Sequence, residues 1–407
     1  MLAALHLGDP RPESLARLAE RDWREALEFS NKSQVTLALR RRTRHSMPEW
    51  VRTVADGNLS HNRERLLRLV DLYRGLAQTF ASRRIQFVAL KGLTQCALFG
   101  SLPEDRPQYD IDLFVPRETA GQARDLLLAS GYHSLAGVDH LPTDHLPALV
   151  RKTGWEFRGD FFDPDAPLPI EIHFRFWNGA WECLPAPGAE DFWTRRTQAR
   201  VPGTELDLPC LSPPDAVGFA SLHYLKHILR RSARPFHAYE LACFLDSRCS
   251  DDAFWAEWRG LHSPELRALQ AVVFRFAAEW FGCRTGAAQE EIDRLPATTQ
   301  SWFKQFALSP SLRLFESRKD ELWLHWSLLH SRGDALRVAR RRLLPVNRPG
   351  PVDAAHLTGE ISWRRRILGR VRYSVHVVSR LRHHVAALPA TALSGFQWWW
   401  RTNRLGR

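Results

Sequence analysis

Residues 89–115 read ALKGLTQCALFGSLPEDRPQYDIDLFV, and two aspartates stand one residue apart inside the apolar run that closes this stretch. Asp110 and Asp112 lie between Tyr109, Ile111, Leu113, Phe114 and Val115, where a buried strand ordinarily carries no charge. Side chains alternate along a strand, so the two carboxylates point to one side, about 6.6 Å apart along it. Two such charges at ~4 Å repel by roughly 4 kcal/mol in an effective dielectric near 20. A divalent cation removes that repulsion, and oxygen ligands of this kind suit Mg²⁺, or Mn²⁺ in its place. A bare D-x-D equally suits one aspartate capping the next element while the other faces water, so the neighbours decide between the readings.

Three neighbours favour a site. Lys91-Gly92 ends the preceding run, where a glycine turn into a helix near Leu93 would cradle a phosphate. Arg106, four residues before Asp110, suits a carboxylate or a phosphate oxygen. In LPIEIHFRFW (168–177), Ile170, Ile172, Phe174 and Phe176 alternate with Glu171, His173 and Arg175, which predicts a strand with one polar face and supplies a third carboxylate.

The same periodicities order the rest of this region. Leu66, Leu69, Val70, Tyr73, Leu76, Ala77 and Phe80 predict an amphipathic helix from Ser60 to about Arg84, and IQFVAL (85–90) a short strand. Thr119 and Gln122 read as a capping box for a helix over 120–130 that stops at Gly131. ARVPGTELDL (199–208) reads as a hairpin turning at Pro202-Gly203.

The motifs LKGLTQCALFG, RPQYDIDLFV and IEIHFRF together resemble those of the bacterial nucleotidyltransferase-like proteins within the DNA polymerase β-type superfamily. The resemblance spans roughly residues 60–245, with D-I-D-L after an arginine as its most specific part. It departs from many members in having Leu93 after Gly92 instead of a second glycine or a serine, which removes one hydroxyl contact to phosphate. It implies that Asp110, Asp112 and Glu171 bind Mg²⁺ and that Glu171 doubles as general base. It further implies that Lys91, Gly92 and Arg106 hold the leaving pyrophosphate of an NTP.

From Ser212, Pro213 and Asp215 onward the texture is helical to about residue 330. LHYLKHILRR sets His223, Lys226 and His227 on neighbouring helix faces, suited to lining a nucleotide cleft; no Glu-Cys-His cluster completes a zinc site. HAYELACFLDS carries Glu240, placed by the resemblance where related helices bear an acidic residue, to bind Lys226, the nucleotide's base-ribose end or the acceptor.

The net charge of +12 is unevenly distributed: 16 arginines against Asp334, Asp353 and Glu360 from Arg332 onward leave the first 331 residues near neutral. This tail interleaves arginine with Trp, Ile and Val, and suits either a helical extension docked on the body with its arginines in water or an anionic partner: a membrane surface, an acidic protein or nucleic acid. Pro345, Pro349 and Pro351 predict a boundary behind which the tail is separable from the chemistry. Six cysteines without a C-x-x-C pair, no leader-like N-terminus and no long uncharged apolar window predict a cytoplasmic chain with reduced thiols.

The expected architecture is α+β. A helical segment (1–59) precedes a small mixed-sheet nucleotidyltransferase-like core (60–211), a helical domain (212–331) and a basic extension (332–407). The expected activity is Mg²⁺-dependent transfer of a nucleoside monophosphate, AMP foremost, from an NTP to a small-molecule or protein acceptor. A catalytically silent nucleotide-binding module is the alternative.

Overall fold

A computed structural model of the 407-residue chain describes residues 1–135, 143–312, 315, 318–344 and 363–405. Three helices, α1 (Glu13–Ala16), α2 (Glu20–Ser33) and α3 (Thr36–Thr43), precede a 34-residue helix, α4 (Glu49–Ser82). There follow β1 (Val88–Ala89), β2 (Ile111–Phe114), α5 (Arg117–Ala129), β3 (His133–Ser134), β4 (Leu149–Val150), β5 (Ile170–His173) and α6 (Gly179–Glu182). The hairpin β6 (Thr197–Arg200) and β7 (Asp207–Cys210) then leads into the helical half. This comprises α7 (Pro213–Leu229), α8 (Pro235–Ser247), α9 (Asp252–Leu261), α10 (Pro264–Phe281), α11 (Gln289–Asp293), α12 (Ala297–Phe306) and α13 (Glu321–Leu328). Two basic helices end the described chain, α14 (Arg332–Leu343) and α15 (Trp363–Leu405).

The seven strands form one mixed sheet in the order β3-β4-β5-β2-β1-β7-β6. At its centre β2 runs parallel to β5 and antiparallel to β1. One sheet face is apolar: Ile111, Leu113, Ile170 and Ile172 pack against Leu69, Tyr73, Leu76 and Phe80 of α4 and Ala120, Ala123 and Leu127 of α5. The other face carries the acidic residues and looks toward α7, so two helices cover one side and a helical domain closes on the other. That is the expected α+β arrangement.

Several local expectations shift. Helix α4 starts eleven residues before Ser60, because its apolar face continues upstream through Val51, Ala55 and Leu59 while Asn62 and Arg65 are buried on backbone carbonyls. Asn62 Nδ2 donates to Glu104 O (2.7 Å) and Arg65 Nη2 to Asp163 O (2.6 Å). Helix α5 starts at Arg117 without a capping box; the Thr119 hydroxyl instead donates to Pro116 O (3.2 Å). After Gly92 there is only a four-residue 3₁₀ turn, Gly92–Gln95, so the expected helix at Leu93 is absent. The N-terminal helices are not a separate layer: Leu5, Leu15, Trp23 and Leu39 share one core with Phe219, Trp255, Phe274 and Trp302 of the helical half.

The separability of the tail is the largest correction. The break expected at Pro345, Pro349 and Pro351 lies outside the described residues, but beyond it α15 docks on the body. Trp398 is buried, donates from Nε1 to Thr298 O (3.0 Å) and stacks on Trp323 at 6.2 Å between centroids. Trp323 in turn donates to Thr391 O (3.0 Å), and a Cβ on Gly395 would meet Trp323 Cζ2 at 2.2 Å, so only glycine lets the helix approach this closely. Of the three consecutive indoles, Trp398 is the buried one. Trp398→Ala is therefore expected to lower stability by roughly 3–5 kcal/mol, the usual range for removing a buried indole, and truncation near residue 345 to give an aggregating protein. Urea unfolding followed by tryptophan emission checks the first, and size-exclusion chromatography the second.

Candidate active site

The register of β2 on β5 assembles the acidic cluster. Asp112 pairs with Glu171 and Phe114 with His173 in a parallel ladder, so Asp112 and Glu171 project side by side. The two-residue strand period adds Asp110 just before β2 and His173 at the end of β5 to the same face. Asp112, Glu171 and His173 each offer a ligand atom within 4.8 Å of the others. Asp112 is buried at 1% exposure, whereas the Asp110 side chain is a third exposed at the rim.

Lysine and histidine side chains from four elements meet this cluster. Lys91, just past β1, places Nζ 3.0 Å from Asp112 Oδ2 and 3.5 Å from Asp110 Oδ2. His173 Nε2 lies 3.1 Å from Asp112 Oδ1 and 3.7 Å from Glu171 Oε2. Segment 143–146 runs along β5, with Leu146 N bonded to Ile172 O (2.9 Å) and Phe174 N to Asp144 O (3.0 Å). It brings His145 to 3.9 Å from Glu171 and Asp144 to 3.8 Å from His173 Nδ1. Lys226 of α7 donates to Asp144 at 2.7 Å and ties the helical half to the sheet.

The electrostatics follow from this crowding. Burial favours the neutral form of Asp112, but Lys91 and the His173 hydrogen bond outweigh it and hold the carboxyl below the usual range. Glu171 is held low in the same way, burial being overcome by His173 and His145. Burial works against a charged His173, yet its bonds to Asp112 and Glu171 and the Asp144 charge push it up to about 9. Burial likewise opposes the Lys91 charge, and Asp110 and Asp112 raise its pKa regardless. At neutral pH the site holds ionised carboxylates and protonated cations at close quarters.

Behind Lys91 lies a second, uncharged layer. His223 Nε2 is 3.3 Å from Lys91 Nζ and 3.2 Å from His227 Nε2, and the His237 ring stands 5.8 Å from that of His223. Burial, then the nearby lysines, pushes His223 and His227 well below the ordinary imidazole value, so both are neutral. Among the described residues, the one cluster with metal-ligand spacing is Asp112, Glu171 and His173.

Gly92 makes the turn that aims Lys91. Its φ of +83° lies in the left-handed region, and a Cβ there would fall 2.2 Å from Gln108 Oε1. Gln108 itself donates to Asp110 O (2.8 Å), so the lysine turn and the aspartate strand are fastened together.

Three expected nucleotide ligands are placed differently. Arg106 gives Glu240 a bidentate pair at 2.7 and 3.1 Å, and both side chains are almost fully buried. The guanidinium is therefore engaged inside the protein instead of facing a phosphate, and Glu240 binds Arg106, where the sequence offered it Lys226, the nucleotide's base-ribose end or the acceptor. Lys226 belongs to Asp144. His173, Asp144 and His145 were not selected from the sequence as site residues. The strand alternation that put His173 beside Glu171 was the available signal for the first; segment 143–146 carries no periodicity that marks the other two.

Residues 19–282, more than half of the chain, match the family described as uncharacterised nucleotidyltransferase. The chain belongs to that family. Among solved structures, an antigenic nucleotidyltransferase-like protein from Paracoccidioides brasiliensis is similar at 16% identity and a TM-score of 0.32, over 54% of this chain and 95% of that one. No curated protein matches.

A buried ion pair is strongly destabilising once one partner is removed. Glu240→Gln leaves Arg106 charged and half-satisfied between the sheet and α8, and is expected to cost roughly 3–5 kcal/mol. The double change Arg106→Met with Glu240→Leu should recover much of that loss. Thermal unfolding of the two variants beside the wild type measures both; equal losses would show that the pair is not coupled.

Proposed function

We propose that the chain is a metal-dependent nucleotidyltransferase that moves a nucleoside monophosphate, AMP foremost, from an NTP to a hydroxyl- or phosphate-bearing acceptor. The observation that supports this most is the pairing of Asp112 with Glu171 across a parallel ladder, with Asp110 on the same face and a third exposed to solvent. The donor set fits a divalent cation: Asp112 and Glu171 offer oxygens within 4.8 Å of each other, and Asp110 flanks them beside Lys91. Asp110, Asp112 and Glu171 would hold Mg²⁺ or Mn²⁺, which would neutralise phosphate charge and acidify the acceptor hydroxyl. His173, protonated and bonded through Nε2 to Asp112 and Glu171, orients these carboxylates instead of offering a nitrogen to the ion.

The chain's own groups account for the remaining steps. Lys91 stands at the Gly92 turn, close enough to trade its aspartate contacts for the oxygens of the leaving pyrophosphate. The acceptor oxygen attacks the α-phosphorus as the bond to pyrophosphate breaks. Its proton passes to a Glu171 carboxylate oxygen, kept ionised by His173 and His145. His173 fixes the carboxylates of Asp112 and Glu171 in place through Nε2. The Asp144–Lys226 bond keeps α7 against the sheet, and Arg106 with Glu240 serves as frame. Positioning and charge neutralisation carry most of such a transfer.

The silent-module reading has one observation behind it: Lys91 already neutralises Asp110 and Asp112 from within. Incubation with α-labelled NTPs, Mg²⁺ or Mn²⁺ and cell extract separates the two readings, since label on an acceptor supports the enzyme and tight NTP binding without transfer supports the module.

Asp110→Asn and Asp112→Asn should each lower metal-dependent transfer on the order of 100-fold, and the double variant should lose little more, because the two carboxylates serve one site. A single variant with near wild-type turnover would remove the metal role. Glu171→Gln is expected to abolish transfer while changing affinity for a non-hydrolysable NTP analogue by less than roughly tenfold, about 1.4 kcal/mol. Calorimetric titration reads the affinity, and its collapse alongside activity would assign Glu171 to ground-state binding instead of proton transfer.

A further inference from the structure

Helix α15 docks through one face only. Ala387, Thr391, Ser394 and Trp398 are buried against the body at helical spacings of four, three and four. Upstream of them, Trp363, Ile367, Val371, Val375, Val378 and Val385 are all exposed, Trp363 at 67% and Val375 at 64%. At 3.6 residues per turn these six fall within an arc of roughly 120°, and Val385 lies about 200° around the axis from Ala387. The stripe therefore points away from the body and is not an extension of the docking face. It is the width expected of an apolar face that binds something.

Its charge indicates what. Residues 363–405 contain no aspartate or glutamate, and Arg364, Arg370, Arg372 and Arg382 stand exposed within or beside the stripe. A second copy would bring arginine against arginine with no carboxylate to answer it, the reverse of the charge pattern that joins paired helices. Nucleic acid would satisfy the arginines but offers phosphates and base edges to a face of valine and isoleucine. Among the described residues no helix is long and apolar enough to cross a membrane. A helix with an aliphatic stripe, a tryptophan at one end and arginines along its flanks meets both its needs at a lipid–water boundary.

We propose that α15 from Trp363 to Val385 lies on an anionic lipid surface, its apolar stripe at the acyl boundary and its arginines among the headgroup phosphates. The docked half, from Ala387 to Trp398, holds the nucleotidyltransferase-like body to that surface. The proposal is independent of the catalytic reading, since no residue of the acidic cluster takes part.

Flotation of the full chain with phosphatidylcholine vesicles, with and without phosphatidylglycerol, tests it. Binding to the mixed vesicles should be tighter by roughly tenfold or more and should weaken with salt. Val371→Asp with Val378→Asp should reduce that binding by a similar factor while leaving the thermal midpoint unchanged, because both positions are exposed. Arg370→Gln with Arg372→Gln should erode the preference for the anionic lipid. Equal binding to both vesicles, or full binding by the Val371→Asp/Val378→Asp variant, overturns the proposal. So does a duplex-DNA affinity that survives the valine substitutions, which would assign the arginines to nucleic acid. A dimer in sedimentation that the same substitutions dissolve would give the stripe to a second copy and also overturn it.

Discussion

Negative charge confined to one face of a buried sheet is the constraint around which this protein is arranged. Asp112 and Glu171 bring oxygens within 4.8 Å of each other, Asp110 shares Lys91 with Asp112, and Asp144 meets the far side of the His173 ring. Like charges at ~4 Å cost roughly 4 kcal/mol at an effective dielectric near 20. The fold answers with Lys91 from the β1 turn, His173 from β5, His145 from the segment beside it and Lys226 from α7. Because those groups come from separate elements, the neutralisation also fastens the elements together. A chain selected for stability alone would have no reason to collect these carboxylates, so the arrangement points to chemistry.

The division of labour between the two sheet faces makes this tolerable. Ile111, Leu113, Ile170 and Ile172 alternate with the acidic residues on the same two strands and bury themselves against α4 and α5. The hydrophobic face anchors β2 and β5, and the strand period then forces Asp112 and Glu171 to the opposite side in register. Around the cluster, Arg106 with Glu240 is a sealed pair, and the neutral His223–His227 pair packs behind Lys91 without adding charge where it would repel the lysine. The cluster thus has an open rim at Asp110 and a closed back.

The tail shows the same economy on a larger scale. One helix uses opposite faces for two purposes: small residues and Trp398 against α12 and α13, arginines with an aliphatic stripe outward. Nine arginines and no carboxylate sit on this element, far in sequence from the near-neutral body.

The sequence by itself determined whatever depends on near neighbours. Alternation in YDIDLFV and LPIEIHFRFW put Asp110 with Asp112, and Glu171 with His173, on shared faces. The hairpin at Pro202-Gly203 and the helices after Ser212 were legible for the same reason, since 2-residue and 3.6-residue periods are local properties. Only the tertiary structure decided which charges meet: Arg106 finds Glu240 across 134 residues and Lys226 finds Asp144 across 82. A lone arginine and a lone glutamate look the same in a sequence whether they face a phosphate or each other. Three consecutive indoles are costly to expose, but which of them docks, and on what, is decided only by Trp323 and Gly395. Long-range pairing is settled by how whole elements pack, and packing is fixed by the summed shape and charge of surfaces that no single segment contains.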